Sequence, residues 1–213
     1  MEDARSYLEI TRPATEALFK LLNEYGWQKM RAFVEITNVK TKADLDNFKK
    51  AFTSVDIARE VISGSILQIA YFGIKQHGQA ANLSQGAMRF EAEMNRLLRE
   101  SPKPRQKKPF VLPRAFCVGR GIGDLPIGMM IYAGRNQYNH SEADRLTIVN
   151  EVVFNYMQQL RPNPKNGKSF NIYDKSPFHC WSIIWALGWV ANDDGTGYSA
   201  FVRDMHEIMQ IEA

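Results

Sequence analysis

Residues 41–78, TKADLDNFKKAFTSVDIAREVISGSILQIAYFGIKQHG, decide the fold class. Leu45, Phe48, Phe52, Val55, Ile62, Ile66, Ile69 and Tyr71 recur at three- and four-residue steps, the period of one helix face. Thr41 followed three residues later by Asp44 has the form of a capping box, with Asp in the place usually held by Glu. His77-Gly78 supplies a stop, with Gly expected in the left-handed conformation. Thr53-Ser54 and Gly64 are the points where this long helix is expected to break.

The same period extends in both directions. Upstream, Pro13 is expected to start a helix carrying Leu18, Leu21, Leu22, Tyr25, Met30, Phe33 and Val34, because a missing N–H is harmless in a first turn. Downstream, Ser84 opens a shorter helix through Met88, Met94, Leu97 and Leu98, stopped by Ser101-Pro102. Asp124-Leu125-Pro126 restarts a helix whose Ile127, Met129, Met130, Ile131 and Tyr132 leave no polar face, so it is expected at the centre and to end near Asn139. Ser141 to Asp144 reads as another capping box before Leu146, Ile148, Val149, Val152, Val153, Tyr156 and Met157. Ser176-Pro177 precedes Trp181, Trp185 and Trp189, spaced for one helical stripe that serves either core packing or a partner surface. A last helix holds Phe201, Met205, Ile208 and Met209. The expectation is a single all-α domain over residues 1–213: an up-and-down bundle of about five to seven helices.

Composition agrees with a globular chain. Hydrophobic residues make up 45% and charged residues 23%, which excludes a disordered polyampholyte. No uninterrupted apolar run reaches the roughly 18 residues of a membrane span. The mixed-charge start MEDARSYLEI is unlike a secretory signal. Cys117 and Cys180 are too few and too far apart for a disulfide framework or a zinc site. A cytoplasmic protein without membrane attachment is therefore expected.

Charge is concentrated. Lys103, Arg105, Lys107, Lys108, Arg114 and Arg120 lie between Ser101 and Arg120 with no acid among them. Without those six, Lys plus Arg falls from 27 to 21 against 23 Asp plus Glu, so the net +4 comes from this stretch. It is also rich in Pro and Gly and reads as a long connector, in which Phe110–Leu112 and Ala115–Val118 can pair as a short β-hairpin. Such a strip beside a near-neutral body suits phosphate contact, or serves only solubility.

Other motifs carry less. Gly119-Arg120-Gly121-Ile122-Gly123-Asp124 lacks the spacing of a dinucleotide loop and the Gly-Lys-Ser/Thr ending of a phosphate loop, and reads as a hinge. Asn192-Asp193-Asp194-Gly195 lacks the alternating oxygen ligands of a calcium loop. His77, His140, His179 and His206 show no metal-ligand spacing, so no metal and no cofactor are expected.

The remaining constellation is Gly134-Arg135-Asn136-Gln137-Tyr138-Asn139-His140. On an unbroken helix Arg135 and His140 would point roughly 140° apart and about 7.5 Å along the axis. A helix ending near Asn139 instead puts His140 in the joint before Ser141, free to turn back toward Arg135. A permanent cation and a group titrating near neutrality then share one concave corner. That pairing suits phosphodiester chemistry, with Arg opposing transition-state charge and His moving a proton.

Arg135, Asn136 directly after it, and His140 after four intervening residues resemble the HEPN family, an all-helical group marked by that pattern. The resemblance covers about Asp124 to Gln159. It implies a metal-independent endoribonuclease acting on RNA as a homodimer, with two such motifs facing each other. It further implies antiviral defence or a toxin–antitoxin system, with an antitoxin or regulatory protein as partner. One His per chain is an independent reason to want two chains, since cleavage needs a base for the 2′-hydroxyl and an acid for the 5′-oxygen. On this reading Asn136 holds the phosphate or orients His140, Tyr138 and Asn139 are secondary site residues, and the six basic connector residues guide RNA. Glu142 stands where family toxins paired with a nucleotidyltransferase usually carry Tyr, which argues against an antitoxin that modifies such a Tyr. A non-catalytic helical scaffold and a plain nucleic-acid-binding subunit of a larger defence complex remain the alternatives.

Overall fold

The computed structural model describes residues 3–36, 39–78, 85–100, 113–139, 148–160, 179–190 and 197–211. Among them are seven α-helices: α1 (Ala4–Glu35), α2 (Lys42–His77), α3 (Gln85–Glu100), α4 (Ile127–Asn139), α5 (Ile148–Leu160), α6 (Cys180–Ala186) and α7 (Gly197–Met209). The only strands among these residues are β1 (Gly121–Ile122) and β2 (Leu125–Pro126), an antiparallel pair. The protein is an all-α bundle with one small hairpin.

α2 is the spine. Thr41 and Asp44 form the expected reciprocal cap, with Asp44 N–H donating to Thr41 Oγ1 at 3.1 Å and Thr41 N–H to Asp44 Oδ2 at 3.0 Å. The helix then runs unbroken through Thr53-Ser54 and Gly64. Gly64 is a contact point, not a break: a Cβ there would stand 2.4 Å from the Tyr138 ring. It ends at His77 as expected, but Gly78 is extended (φ −63°, ψ 127°), not left-handed. The Gly78 N–H closes the last turn on Ile74 O at 2.7 Å. By length and composition α2 could cross a membrane, yet half of that apolar stretch is buried inside the bundle. Helix packing accounts for its apolarity.

α1 departs from the sequence reading at its start. It begins at Ala4, capped by Asp3 accepting from Ser6 N–H at 2.8 Å, and Pro13 sits inside it. Tyr7 donates its hydroxyl to Ile69 O at 2.7 Å, which ties the turns before Pro13 to α2. Tertiary contact there outweighs the proline's lost hydrogen bond. Beyond Tyr25 the expected core face of α1 is exposed: Met30, Phe33 and Val34 are 58–62% accessible.

α4 is central as expected, with Ile127 through Ile131 buried without interruption. It packs on α2, α5 and α6 within one apolar cluster, with Gly134 set close against Leu67 of α2 and Ile183 of α6. Each such side chain contributes roughly 1.5–3 kcal/mol by leaving water.

The hairpin lies later than the sequence suggests. Arg114–Phe116 is a 3-10 turn, not a strand, and residues 110–112 lie outside the described residues. The strands are Gly121–Ile122 and Leu125–Pro126, so Pro126 closes β2 and the helix starts at Ile127. The first turn of α4 finds its acceptors here: Ile127 N–H donates to Arg120 O at 3.1 Å and Gly128 N–H to Val118 O at 3.2 Å. Those donors are therefore spent within the chain, and the Gly119–Asp124 stretch is part of the hairpin that holds the start of α4.

Candidate functional site

The C-terminal turns of α4 carry the candidate residues out of the core. Arg135 is half-buried there. Its guanidinium carbon lies 4.4 Å from the centroid of the Tyr71 ring. Its Nε donates to Gln68 Oε1 at 3.1 Å and its Nη1 to Asn136 Oδ1 at 3.2 Å. The Asn139 amide lies against the same guanidinium, its oxygen toward Arg135 and 3.0 Å from Nη2. Arg135, Asn136 and Asn139 thus come together.

Two further residues come from α2. Gln68 and Tyr71 precede Arg135 by more than sixty positions and were not expected in the site. Tyr71 itself rests on an aromatic floor: it stacks on Phe116 with centroids 4.8 Å apart, and Phe116 lies 5.1 Å from Tyr132. Gln68 alone left a trace in the sequence, as a polar residue inside the run from Ile66 to Ala70.

The electrostatics are distinctive. Among the described residues no carboxylate stands within 4 Å of the Arg135 guanidinium; its partners are neutral amides and a π face. Among the described residues its charge is positioned but not neutralised, which leaves it available to an anion.

The other candidates separate. Tyr138 packs its ring into the notch at Gly64, so it serves helix contact. Arg120 leaves the RNA-guiding set for a clearer reason. Its Nε and Nη2 grip the two oxygens of fully buried Asp204 at 3.0 and 2.8 Å, and Nη2 also donates to Leu187 O at 2.6 Å. Arg114 is 72% exposed and 4.0 Å from the Glu91 carboxylate, so it stays available. His140, Lys103, Arg105, Lys107 and Lys108 lie outside the described residues.

The chain matches no family model, no curated protein and no solved structure. Function is therefore argued from the side chains.

The tryptophan stripe is split. α6 ends at Ala186, and Gly188 (φ 72°) turns the chain so that Trp189 is fully buried and donates Nε1 to Asp204 at 2.8 Å. Trp181 lies under Arg59, 3.7 Å from ring centroid to guanidinium carbon, and Trp185 is half exposed. All three line one cleft of about 520 Å³. The start of α6 is held by Glu60, whose Oε2 accepts from Trp181 N–H at 3.1 Å. Burial raises the Glu60 carboxyl above its ordinary range, opposed by the backbone N–H groups it accepts from. Both cysteines are free and buried; burial pushes the Cys117 thiol up to about 12, too high for a nucleophile. Among the described residues no three His, Cys, Asp or Glu gather in metal-ligating reach.

Proposed function

We propose that this chain is a metal-independent endoribonuclease of HEPN type, acting in the cytoplasm as a homodimer in antiviral defence or a toxin–antitoxin system. The observation that carries the reading is Arg135: a guanidinium held by Gln68, Asn136 and Tyr71, with no carboxylate among the described residues to neutralise it. A scissile phosphate supplies the missing negative charge.

The reaction needs no external oxidant or cofactor. The RNA 2′-oxygen attacks phosphorus as a base removes its proton, and the bond to the 5′-oxygen breaks as an acid protonates that oxygen. The products are a 2′,3′-cyclic phosphate and a 5′-hydroxyl. Arg135 binds the non-bridging oxygens and opposes the charge they gain. His140 is the proton carrier, and its counterpart in the second subunit supplies the other transfer. Asn136 and Asn139 fix the guanidinium, and Asn136 also reaches the phosphate or His140.

The test is cleavage of single-stranded RNA by purified protein with EDTA present. Arg135→Ala and His140→Ala are each expected to lower the rate by about 100-fold or more. Equal cutting by wild type and both variants overturns the site assignment.

A second reading, a non-catalytic assembly subunit, is favoured by the outer half of α1, where Trp27, Met30, Phe33 and Val34 are 58–62% exposed. A stable complex with another protein and no cleavage under any activator would support it. Salt-sensitive RNA binding that survives His140→Ala, again without cleavage, would support a nucleic-acid-binding subunit.

A further inference from the structure

α2 continues past the Arg135 contact with a stripe the proposed chemistry does not use. Gln68, Phe72 and Lys75 fall at i, i+4 and i+7, within about 60° of one another and over about 10 Å of helix. Gln68 holds Arg135. Phe72 is 41% exposed and meets Tyr71 edge-on at 5.9 Å, so a large aromatic ring stands open beside the guanidinium's own support. Lys75 is exposed, and no carboxylate among the described residues lies within salt-bridge reach of it. The stripe then leads to the basic connector. Gly78, one turn on, touches the 3-10 turn: a Cβ built on it would stand 3.3 Å from Ala115 O, next to exposed Arg114. Phe116 of that turn is the residue stacked on Tyr71. Arg135 thus sits on Tyr71, Arg114 stands two residues from the Phe116 stacked on that same ring, and Lys75 lies about one turn past Phe72 on α2.

Cations interleaved with an accessible ring suit single-stranded nucleic acid, whose unpaired bases stack while phosphates meet the cations. A duplex keeps its bases stacked on each other and gains nothing from the ring. We propose that an RNA strand bound at Arg135 passes along α2 toward Arg114, with one base stacked on Phe72 and a neighbouring phosphate on Lys75. This path rests on the ribonuclease reading for its direction, but it makes a binding prediction that stands without catalysis.

The experiment uses the full chain and a labelled 2′-O-methyl RNA of about twelve nucleotides, which lacks the attacking hydroxyl and reports binding alone. Fluorescence anisotropy gives Kd over a salt series, for the single strand and for its duplex. Wild type is expected to prefer the single strand. Phe72→Ala should weaken single-strand binding roughly 5- to 100-fold, the range for losing one stacked base, while Phe72→Tyr retains it. Lys75→Gln should flatten the dependence of log Kd on log salt by about 0.7, one phosphate contact. Both residues are exposed, so unchanged circular dichroism separates these effects from unfolding. Wild-type affinity in Phe72→Ala and Lys75→Gln overturns the path while leaving Arg135 chemistry to its own assay. Absence of binding by wild type also overturns it. Binding that depends on Phe72 and Lys75 in a protein that never cuts natural RNA supports the path and defeats the ribonuclease reading instead.

Discussion

Arg120 and Arg135 lie fifteen residues apart, at opposite ends of the same hairpin and helix, and do opposite things with the same functional group. Arg120 is matched to a fully buried carboxylate, Asp204, through two short bonds. Arg135, among the described residues, is matched only to neutral amides and the face of Tyr71. The first arrangement spends its charge on the fold. The second fixes the geometry of a cation and leaves its charge over. A protein that needs to bind a phosphate benefits from the second arrangement, and the first is of no use for it.

The contrast predicts a large difference in stability. Asp204→Ala leaves Arg120 without its counter-charge and Trp189 Nε1 without an acceptor. Removing one partner of a buried pair costs about 3–5 kcal/mol. For a chain of this size that lowers Tm by roughly 6–20 °C. Arg135→Ala, by comparison, loses bonds to uncharged groups and one half-exposed cation–π contact, about 2 kcal/mol in all. Thermal denaturation of the two variants checks this directly. Equal losses would mean that Arg135 is also a structural residue, and the contrast would collapse.

Gly64→Ala tests how the fold supports the site. The new methyl group meets the Tyr138 ring at 2.4 Å, so the ring and the end of α4 must move away from α2. Overpacking of this kind costs about 1–3 kcal/mol. Because Gln68 and Tyr71 are one to two turns further along α2, the same shift should loosen the hold on Arg135 and lower RNA cleavage with it. Adding Tyr138→Leu should restore both. Recovery of stability without recovery of cleavage would show that Tyr138 itself acts on RNA.

The sequence made some of this visible and hid the rest for a consistent reason. Local signals were readable: the Thr41–Asp44 cap, the end at His77 and the apolar α4. Signals decided by distant partners were not. Pro13 looks like a helix start until Tyr7 is seen bonded to Ile69. Trp189 looks like part of a stripe until Gly188 turns it toward Asp204. Arg120 counts as one more base in a basic connector, since its acid is 84 residues away. The site divides in the same way. Arg135 and Asn136 are neighbours in a recognisable pattern, whereas Gln68 and Tyr71 reach Arg135 only through the packing of α2 on α4.

The smallest effect concerns His179, just before α6. It is buried with its ring edge-on to Phe154, centroids 5.2 Å apart, and burial lowers its pKa below the ordinary 6.5. A histidine held neutral in the folded chain and free to protonate in the unfolded one makes the unfolded state bind more protons on acidification. Stability from this group is complete above about pH 6.5. It declines as pH falls toward the depressed folded value, and changes no further below it. The expected signature is a Tm that drops modestly through that window, with the drop reduced in His179→Gln. An acid-side loss of cleavage that persists in His179→Gln, at temperatures well below Tm, therefore belongs to a proton-transfer group at the site. One that disappears with the substitution belongs to the packing around α6.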